Sequence, residues 1–167
     1  MSVYSVGILT LSDKGARGER EDTSGAMLQE LFGGMDEYQV VRYLLIADDQ
    51  ERIAATLTQW VDVEGIDLIV TTGGTGVSPK DLTPEATRMV IEREVPGIAE
   101  AMRMASLEKT VQAVWSRGVA GIRQQSLIIN LPGSEKAARE NIEAVLPALA
   151  HGLYKLKGGR ADCGELV

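Results

Sequence analysis

Short, almost continuously apolar stretches alternate along the chain with longer stretches in which apolar residues recur every three or four positions. The first pattern is typical of strands covered on both faces, and the second of amphipathic helices. Strands are predicted at residues 4–11, 38–46, 66–72 and 126–131. Because helical segments separate them, the pattern predicts an α/β fold, a mostly parallel sheet between helix layers in a three-layer α/β/α sandwich.

Helices are predicted where helical apolar spacing follows a residue that can cap a helix. They are expected at about 23–32, after Asp48 or Asp49, from Thr83 to near Pro96-Gly97, onward to about 109, and from Ser134 to about 157. Thr83 is the predicted N-cap of its helix because Pro84 suits the first helical position. Pro147 is expected to kink the last helix or to start a new one. Residues 12–22 are predicted as a loop, and 113–123 as either a short strand pair or an irregular loop.

The 167 residues predict a single domain, expected over 1–157 with a C-terminal tail at 158–167. The 17 basic and 24 acidic residues give a net charge of −7, and no half of the chain is basic. Binding to a nucleic-acid backbone is therefore not expected. An acidic chain can still bind phosphates when a cation or backbone N–H groups lie between them.

The rarest residue types exclude several kinds of site. Cys163 and His151 are each the only residue of their type, which rules out an internal disulfide, a Cys-rich zinc site and a multi-histidine metal centre. No uncharged run is longer than 68–79, which is too short to span a bilayer, so no membrane association is expected. The N-terminus has no apolar signal core, so a cytoplasmic location is expected.

Residues suited to ligand binding follow all four predicted strands. They are Ser12 and Asp13, then Asp48 and Asp49, then residues 73–76, and then 130–134. In parallel α/β sheets, ligands bind beyond the carboxyl ends of the strands. Each of these residue types also occurs in ordinary caps and turns. Their coincidence at one edge of the sheet favours a binding site there.

The sequence Gly73-Gly74-Thr75-Gly76 directly follows the third predicted strand. Glycines allow the backbone to turn tightly and to direct several N–H groups at a phosphate. The sequence matches neither a Walker A loop nor the dinucleotide-binding pattern GxGxxG. The alternative is a tight turn that only stabilises the end of the strand.

Asp81 lies just ahead of the helix predicted at Thr83. It can serve as a structural element before that helix, or it can hold Mg²⁺, which favours one or two carboxylates together with phosphate oxygens and water. Glycines for a phosphate beside an acid for a metal ion point to phosphoryl or nucleotidyl transfer, which depends on charge neutralisation and alignment.

Residues 71–87, TTGGTGVSPKDLTPEAT, resemble the signature of the molybdenum cofactor biosynthesis family, the molybdopterin adenylyltransferases and their relatives. The resemblance extends over about residues 4–157. Further similar stretches lie at 9–13, 22–25, 46–50, 116–123 and 130–134.

This resemblance implies a three-layer α/β fold, commonly assembled as a homotrimer. It implies an enzyme that uses ATP and Mg²⁺ to attach AMP to the terminal phosphate of molybdopterin, releasing pyrophosphate. Because the product is the substrate for metal insertion, the molybdenum insertion enzyme is an implied partner.

The resemblance also implies roles for individual residues. Asp81 and Asp48 match the catalytic and metal-binding acids. The implied phosphate-binding residues are Gly73, Gly74, Thr75, Gly76, Ser12 and Asp13. The implied pterin-binding residues are Ser106, Ser116, Arg117, Pro132, Gly133 and Ser134. Ala47 and the pair Ser134-Glu135 depart from the family pattern.

Two other functions are also compatible with the sequence. One is a protein of the same family that binds molybdopterin but does little chemistry, and the other is a scaffold or interaction module. Retention of Asp48, Asp81 and the run from Lys80 to Pro84 favours the enzyme. The absence of an appended domain or linker argues against a scaffold.

Overall fold

The computed structural model describes residues 3–160, in which six strands form one sheet. The strands are β1 (Tyr4–Leu11), β2 (Tyr38–Ile46), β3 (Leu68–Thr72), β4 (Arg93–Glu94), β5 (Ala120–Arg123) and β6 (Ser126–Leu131). Their order across the sheet is β2-β1-β3-β6-β5-β4. The first four strands in this order run parallel, whereas β5 is antiparallel to both β6 and β4. The sheet is therefore mostly parallel, as predicted.

Among the described residues, five α-helices lie between strands and a sixth follows β6. They are α1 (Asp13–Ala16), α2 (Thr23–Gly33), α3 (Gln50–Asp62), α4 (Thr83–Val90), α5 (Pro96–Leu107) and α6 (Glu135–Leu156). A 3₁₀ helix at Val111–Trp115 lies between α5 and β5. Among the described residues, no helix has both the length and the apolar character needed to cross a membrane.

The two faces of the sheet are covered by different helices. On β1, Val6 and Ile8 belong to a core formed with α2, α5 and α6. Leu9 and Leu11 belong to a second core, formed with α3 and α4. Successive side chains of a strand point to opposite faces, so one apolar run supplies both cores. The predicted three-layer sandwich is confirmed.

The apolar pattern predicted most of the parallel strands closely. The bounds of β1, β2 and β6 agree with the prediction, and β3 begins two residues later than expected. Every residue of β3 and β6 is buried, which explains their almost unbroken apolar sequence. Helix α3 is capped by Asp49, whose side chain accepts a hydrogen bond from the Arg52 N–H, so Asp48 is not the cap.

The helix predicted to run from Thr83 to near Pro96-Gly97 is wrong beyond Val90. The chain becomes extended at Ile91 and forms β4 instead. Backbone bonds from Glu92 to Ile122 and from Val95 to Ala120 hold this segment against β5. Pairing with a distant strand therefore overrides the local helical pattern, and α5 begins at Pro96.

Other predictions changed in detail. The loop predicted at 12–22 contains the short helix α1, capped by Ser12. The segment 113–123, left open between a strand pair and a loop, contains the end of the 3₁₀ helix and all of β5. Helix α6 continues through Pro147. Cys163 and most of the predicted tail lie outside the described residues, and the predicted domain limits remain a prediction.

Candidate active site

A cleft of about 370 Å³ lies at the carboxyl ends of β1 and β3, next to the first turns of α2 and α6. Seven of the predicted site residues line it: Ser12, Asp48, Gly73, Gly74, Asp81, Gly133 and Ser134. They come from five separate parts of the chain. The parallel strand order brings them together, as expected for a sheet whose strands end at one edge.

Asp48 is anchored through one carboxylate oxygen only. Its Oδ2 accepts the N–H of Asp13 at 3.2 Å, and its own N–H donates to Asp13 Oδ1 at 3.0 Å. Its Oδ1 is buried and has no hydrogen-bond partner among the described residues. Burial raises the pKa of Asp48, and the nearby charges of Asp13 and Asp81 raise it further. An unpartnered buried carboxylate oxygen is costly unless a cation or a donor approaches it.

The glycines after β3 allow that strand end to approach Asp48. Gly73 and Gly74 both have positive φ angles, of 104° and 66°. A Cβ atom on Gly74 would lie 2.3 Å from Thr83 Oγ1 and 3.0 Å from Asp48 Oδ1. Only glycine is compatible with both this conformation and this space. The predicted need for glycine at Gly74 therefore has a specific steric cause.

Thr83 has a different role from the one predicted. The N-cap of α4 is Leu82, which makes no side-chain capping bond, so the prediction of Thr83 as N-cap is wrong. Thr83 Oγ1 donates to the Gly73 carbonyl at 2.9 Å, and its N–H donates to the Gly74 carbonyl at 3.1 Å. These two bonds hold the glycine turn. The Thr83 hydroxyl therefore contacts Gly73 and does not cap its own helix.

Asp81 both lines the cleft and closes its own loop. The β3–α4 loop comprises residues 73–82. Within it, Asp81 Oδ2 accepts the N–H of Ser78 at 2.8 Å, and the Asp81 N–H donates to the Ser78 carbonyl at 2.9 Å. A Cβ atom on Gly76 would lie 2.9 Å from Asp81 Oδ2, so this carboxylate packs against the glycine backbone. The loop conformation thus sets the position of the acid.

Two basic residues lie near these carboxylates. Lys80 Nζ forms a 2.9 Å ion pair with Asp13 Oδ2, and this hydrogen bond is the main reason that the pKa of Asp13 is lowered. Arg20 lines the cleft directly. Lys80 belongs to the run that resembles the family signature, whereas Arg20 lies in the segment predicted only as a loop and was not a predicted site residue.

The start of α2 is a wall of the cleft that the predicted site omitted. Asp22 caps α2 through a 2.9 Å bond from the Gly25 N–H, and its other oxygen accepts the Tyr43 hydroxyl at 2.6 Å. Thr23 also lines the cleft. In the sequence, residues 22–25 are one of the stretches that resemble the family, and this resemblance could have indicated that the start of α2 belongs to the site. Nearby, the buried Thr10 Oγ1 has no hydrogen-bond partner among the described residues.

The residues implied to bind the pterin are divided between cavities. Gly133 and Ser134 line the main cleft. Ser106, Ser116 and Pro132 line a second cavity of about 220 Å³. These five residues thus fall into two groups that adjoin at Pro132-Gly133, and their contacts with the pterin remain predictions.

The remaining predicted residues are not among the described residues that line the cleft. Thr75 is buried, and its carbonyl accepts the Arg117 N–H at 2.9 Å. Neither Thr75 nor Gly76 belongs to the described residues that line the cleft. Arg117 lines a third cavity, of about 350 Å³. The phosphate contacts predicted for Thr75 and Gly76 and the pterin contact predicted for Arg117 remain predictions.

The acids are suited to a metal ion that arrives with its substrate. Within residues 3–160, no three His, Cys, Asp or Glu side chains form a cluster that could hold a metal ion. Asp48 and Asp81 line the same cleft, and Asp48 has a free buried oxygen. Two carboxylates with phosphate oxygens and water match the ligand preference of Mg²⁺. The residues present therefore fit that ion.

Comparison with known proteins identifies the family. A family described as a probable molybdopterin binding domain matches residues 7–151. The molybdopterin adenylyltransferase of Helicobacter pylori strain J99 is 43% identical over 169 residues, which cover 99% of this chain and 94% of that protein. The enzyme of the same name from Escherichia coli K12 is 38% identical over 159 residues, covering 92% and 82%.

The solved structures show the same architecture. The crystal structure of the molybdopterin biosynthesis enzyme MoaB from Thermus thermophilus superposes with a TM-score of 0.88 at 53% identity. The match covers 93% of this chain and 98% of the Thermus chain. The family match and the likenesses to these relatives show that the chain belongs to the molybdenum cofactor biosynthesis family, the family of molybdopterin-binding domains that includes the molybdopterin adenylyltransferases.

Proposed function

We propose that this chain is a molybdopterin adenylyltransferase, which transfers AMP from ATP to the terminal phosphate of molybdopterin and releases pyrophosphate. The observation that carries the proposal is the convergence of Asp48, Asp81 and Gly73-Gly74 on one cleft. The relatives of that name, at 38–43% identity over nearly the whole chain, support it.

The reaction brings two anions together, so charge neutralisation is the main requirement. Asp48 Oδ1 and the Asp81 carboxylate would hold Mg²⁺ at the cleft. When bound, this ion neutralises phosphate charge and aligns the reacting groups. Lys80 is already paired with Asp13, which leaves Arg20 as the basic side chain that lines the cleft among the described residues.

The backbone contributes to phosphate binding. Gly73 and Gly74 have no side chain to keep a phosphate away from the main chain. The N-terminal ends of α2 and α6, at Thr23 and at the N-cap Ser134, line the same cleft. The N-terminal end of a helix carries partial positive charge and favours anions. Ser12 and Asp13 belong to the proposed phosphate region because they follow β1 at the same edge.

The pterin part of the substrate is proposed to extend past Pro132-Gly133 into the second cavity. Ser106 and Ser116 line that cavity, and Ser106 Oγ accepts a 2.5 Å hydrogen bond from Asn141. Ser106, Ser116 and Pro132 would then contact the pterin, whereas Gly133 and Ser134 lie in the cleft with the proposed phosphate-binding residues.

We further propose that the chain forms a homotrimer through an exposed apolar segment. Val111 and Trp115 are 70% and 58% exposed, and Met104, Leu107 and Val114 are also exposed. So many large apolar side chains in one short segment are typical of a contact surface. The proposed location is the cytoplasm. The molybdenum insertion enzyme is the proposed recipient of the product.

The direct test is incubation of the purified chain with ATP, Mg²⁺ and molybdopterin, followed by detection of adenylylated molybdopterin and pyrophosphate. Formation of both products in equal amounts is expected. Binding of molybdopterin without any product would instead favour a non-catalytic binding protein. If neither molybdopterin binding nor adenylylated product is detected, the proposal is overturned.

A further inference from the structure

Arg117 donates hydrogen bonds to three carbonyls of the β3–α4 loop. Its N–H donates to the Thr75 carbonyl at 2.9 Å, its Nε to the Gly76 carbonyl at 2.7 Å, and its Nη2 to the Asp81 carbonyl at 2.6 Å. These carbonyls lie on both sides of the turn that contains Ser78. A single residue therefore connects the glycine-rich start of the loop to the acid near its end.

The same guanidinium is attached to helix α4. Its Nη1 and Nη2 both donate to the carboxylate of Glu85, in a two-pronged ion pair. The hydrogen bond from Arg117 lowers the pKa of Glu85, and the same contact raises the pKa of Arg117. All three guanidinium nitrogens are thus engaged by the loop and by the first turn of α4. Such a planar fork has a fixed geometry that a flexible ammonium group lacks.

The position of the Asp81 carboxylate depends on this loop. The Asp81 carboxylate accepts the Ser78 N–H within the loop, whereas Arg117 holds the carbonyls of Gly76 and Asp81 from outside it. Arg117 lines the cavity of about 350 Å³ and not the cleft that Asp81 lines. Its donors therefore reach the loop without entering the proposed reaction site.

We propose that Arg117 is a positioning residue for the adenylyl transfer, holding the β3–α4 loop so that Asp81 faces the cleft. The proposal rests on the function proposed above and extends it. It assigns to Arg117 an action through Asp81, in place of the direct pterin contact that the family resemblance implies. Glu85 shares this role, because it orients the guanidinium.

Two arginine variants test the role of the fork. Arg117→Ala removes all guanidinium contacts, and Arg117→Lys keeps a charge near Glu85 but cannot reach three groups at once. Misplacing a catalytic group by about 1 Å can cost roughly 10²-fold in rate. We expect kcat to fall roughly 10²-fold in the Ala variant and at least about tenfold in the Lys variant. The KM for molybdopterin should stay nearly unchanged in both.

Arg123→Ala is the matched control. Arg123 also pairs with an acid, Asp62, and donates to a backbone carbonyl, that of Val90. It therefore reports the general cost of losing a half-buried arginine ion pair, away from the cleft. Its kcat is expected to equal that of the wild type. Free guanidinium at low millimolar concentration should restore part of the activity of Arg117→Ala.

A second measurement is independent of catalysis. Hydrogen–deuterium exchange of peptides covering residues 76–82 should be roughly tenfold faster in Arg117→Ala, with no change in Arg123→Ala. If Arg117→Ala does not fold, Arg117→Lys and Glu85→Gln provide the same comparison at smaller perturbation. Faster loop exchange together with lower kcat would support the proposal.

The opposite results overturn it. A raised KM for molybdopterin with unchanged exchange would make Arg117 a pterin contact, and wild-type kcat in Arg117→Lys would exclude the need for the fork. If the wild type forms no adenylylated product, the proposed function fails. The exchange result would still show whether Arg117 holds the loop, so the two failures are distinguishable.

Discussion

Asp13 and Asp48 exchange hydrogen bonds across the ends of two neighbouring strands, each backbone N–H donating to the carboxylate of the other residue, at 3.2 and 3.0 Å. The pair continues the parallel register of β1 and β2, in which Leu11 lies opposite Ile46. It occupies Oδ2 of Asp48 and leaves Oδ1 buried and without a partner among the described residues, next to Gly74. The sheet register therefore sets the position of the acid that is proposed to meet the metal ion.

Asp81→Asn is expected to lower turnover by roughly 10²-fold or more, since each tenfold loss corresponds to only about 1.4 kcal/mol of transition-state stabilisation. The asparagine oxygen can still accept the Ser78 N–H, so the loop keeps its shape while the charge is lost. The melting temperature and molybdopterin binding should remain close to wild type. Steady-state kinetics and thermal denaturation of the same preparation measure these effects.

Asp81→Ala is the companion variant, because it removes the loop hydrogen bond as well as the charge. It should lose about 1 kcal/mol of stability in addition to turnover. Near-wild-type activity of Asp81→Asn at saturating Mg²⁺ would contradict the catalytic assignment and leave Asp81 a purely structural role.

Asp48→Asn should stabilise the protein at neutral pH. Burial raises the pKa of Asp48 in the folded state, so the folded protein holds this proton more tightly than the unfolded chain does. The wild type therefore loses stability as the pH rises through that raised value. We expect the melting temperature of the variant to exceed that of the wild type by about 1–3 °C at pH 7, with turnover much reduced.

The difference should disappear below about pH 4, where aspartates are protonated in both states. Asp13→Asn should change the stability in the opposite direction, because the hydrogen bond from Lys80 lowers the pKa of Asp13. That variant should lose stability at neutral pH and lose this difference as the pH falls. A melting temperature of Asp48→Asn below wild type at pH 7 would refute the expected effect of burial.

Gly74→Ala should impair both stability and activity. Its φ of 66° is unfavourable for alanine, and the added Cβ would collide with Thr83 Oγ1. A left-handed conformation of this kind costs roughly 1–3 kcal/mol for a non-glycine residue. Because the collision also displaces the turn beside Asp48, turnover should fall at least about tenfold.

Gly33→Ala tests whether these losses are specific to position 74. Gly33 is the last residue of α2, and nothing lies within 4 Å of the added Cβ atom. Alanine there should leave turnover unchanged and should not lower the melting temperature. Equal stability of the two variants in chemical denaturation would show that the glycine turn is not under steric constraint.

Trp115→Glu should disrupt the proposed trimer, since it places a charge within the exposed apolar segment. Light scattering at micromolar concentration should give the mass of three chains for the wild type and a smaller mass for the variant. Val63→Glu is the control, because Val63 is 79% exposed but follows α3, in the other helix layer. A wild-type monomer at this concentration would exclude the trimer.

Local patterns in the sequence were sufficient for the parallel strands and for the edge at which the site lies. The apolar runs of β1, β2 and β6 predicted their bounds, because strands covered by helices must be apolar on both faces. The glycines at 73–74 and the acids after β1 and β2 then follow strand ends in any parallel arrangement. The family resemblance added the chemistry that these residue types leave open.

The tertiary structure alone decided the features that depend on partners far along the chain. Strand β4 has only Arg93 and Glu94, both exposed, and it forms because β5 pairs with it. Thr83 bonds the glycine turn instead of capping its own helix. Packing likewise decides two further features. One is the unpartnered Oδ1 of Asp48, and the other is the set of hydrogen bonds from Arg117 to a loop about 40 residues away. Periodicity and capping rules describe neighbours in sequence, whereas these contacts are selected by burial and hydrogen bonding between separate elements.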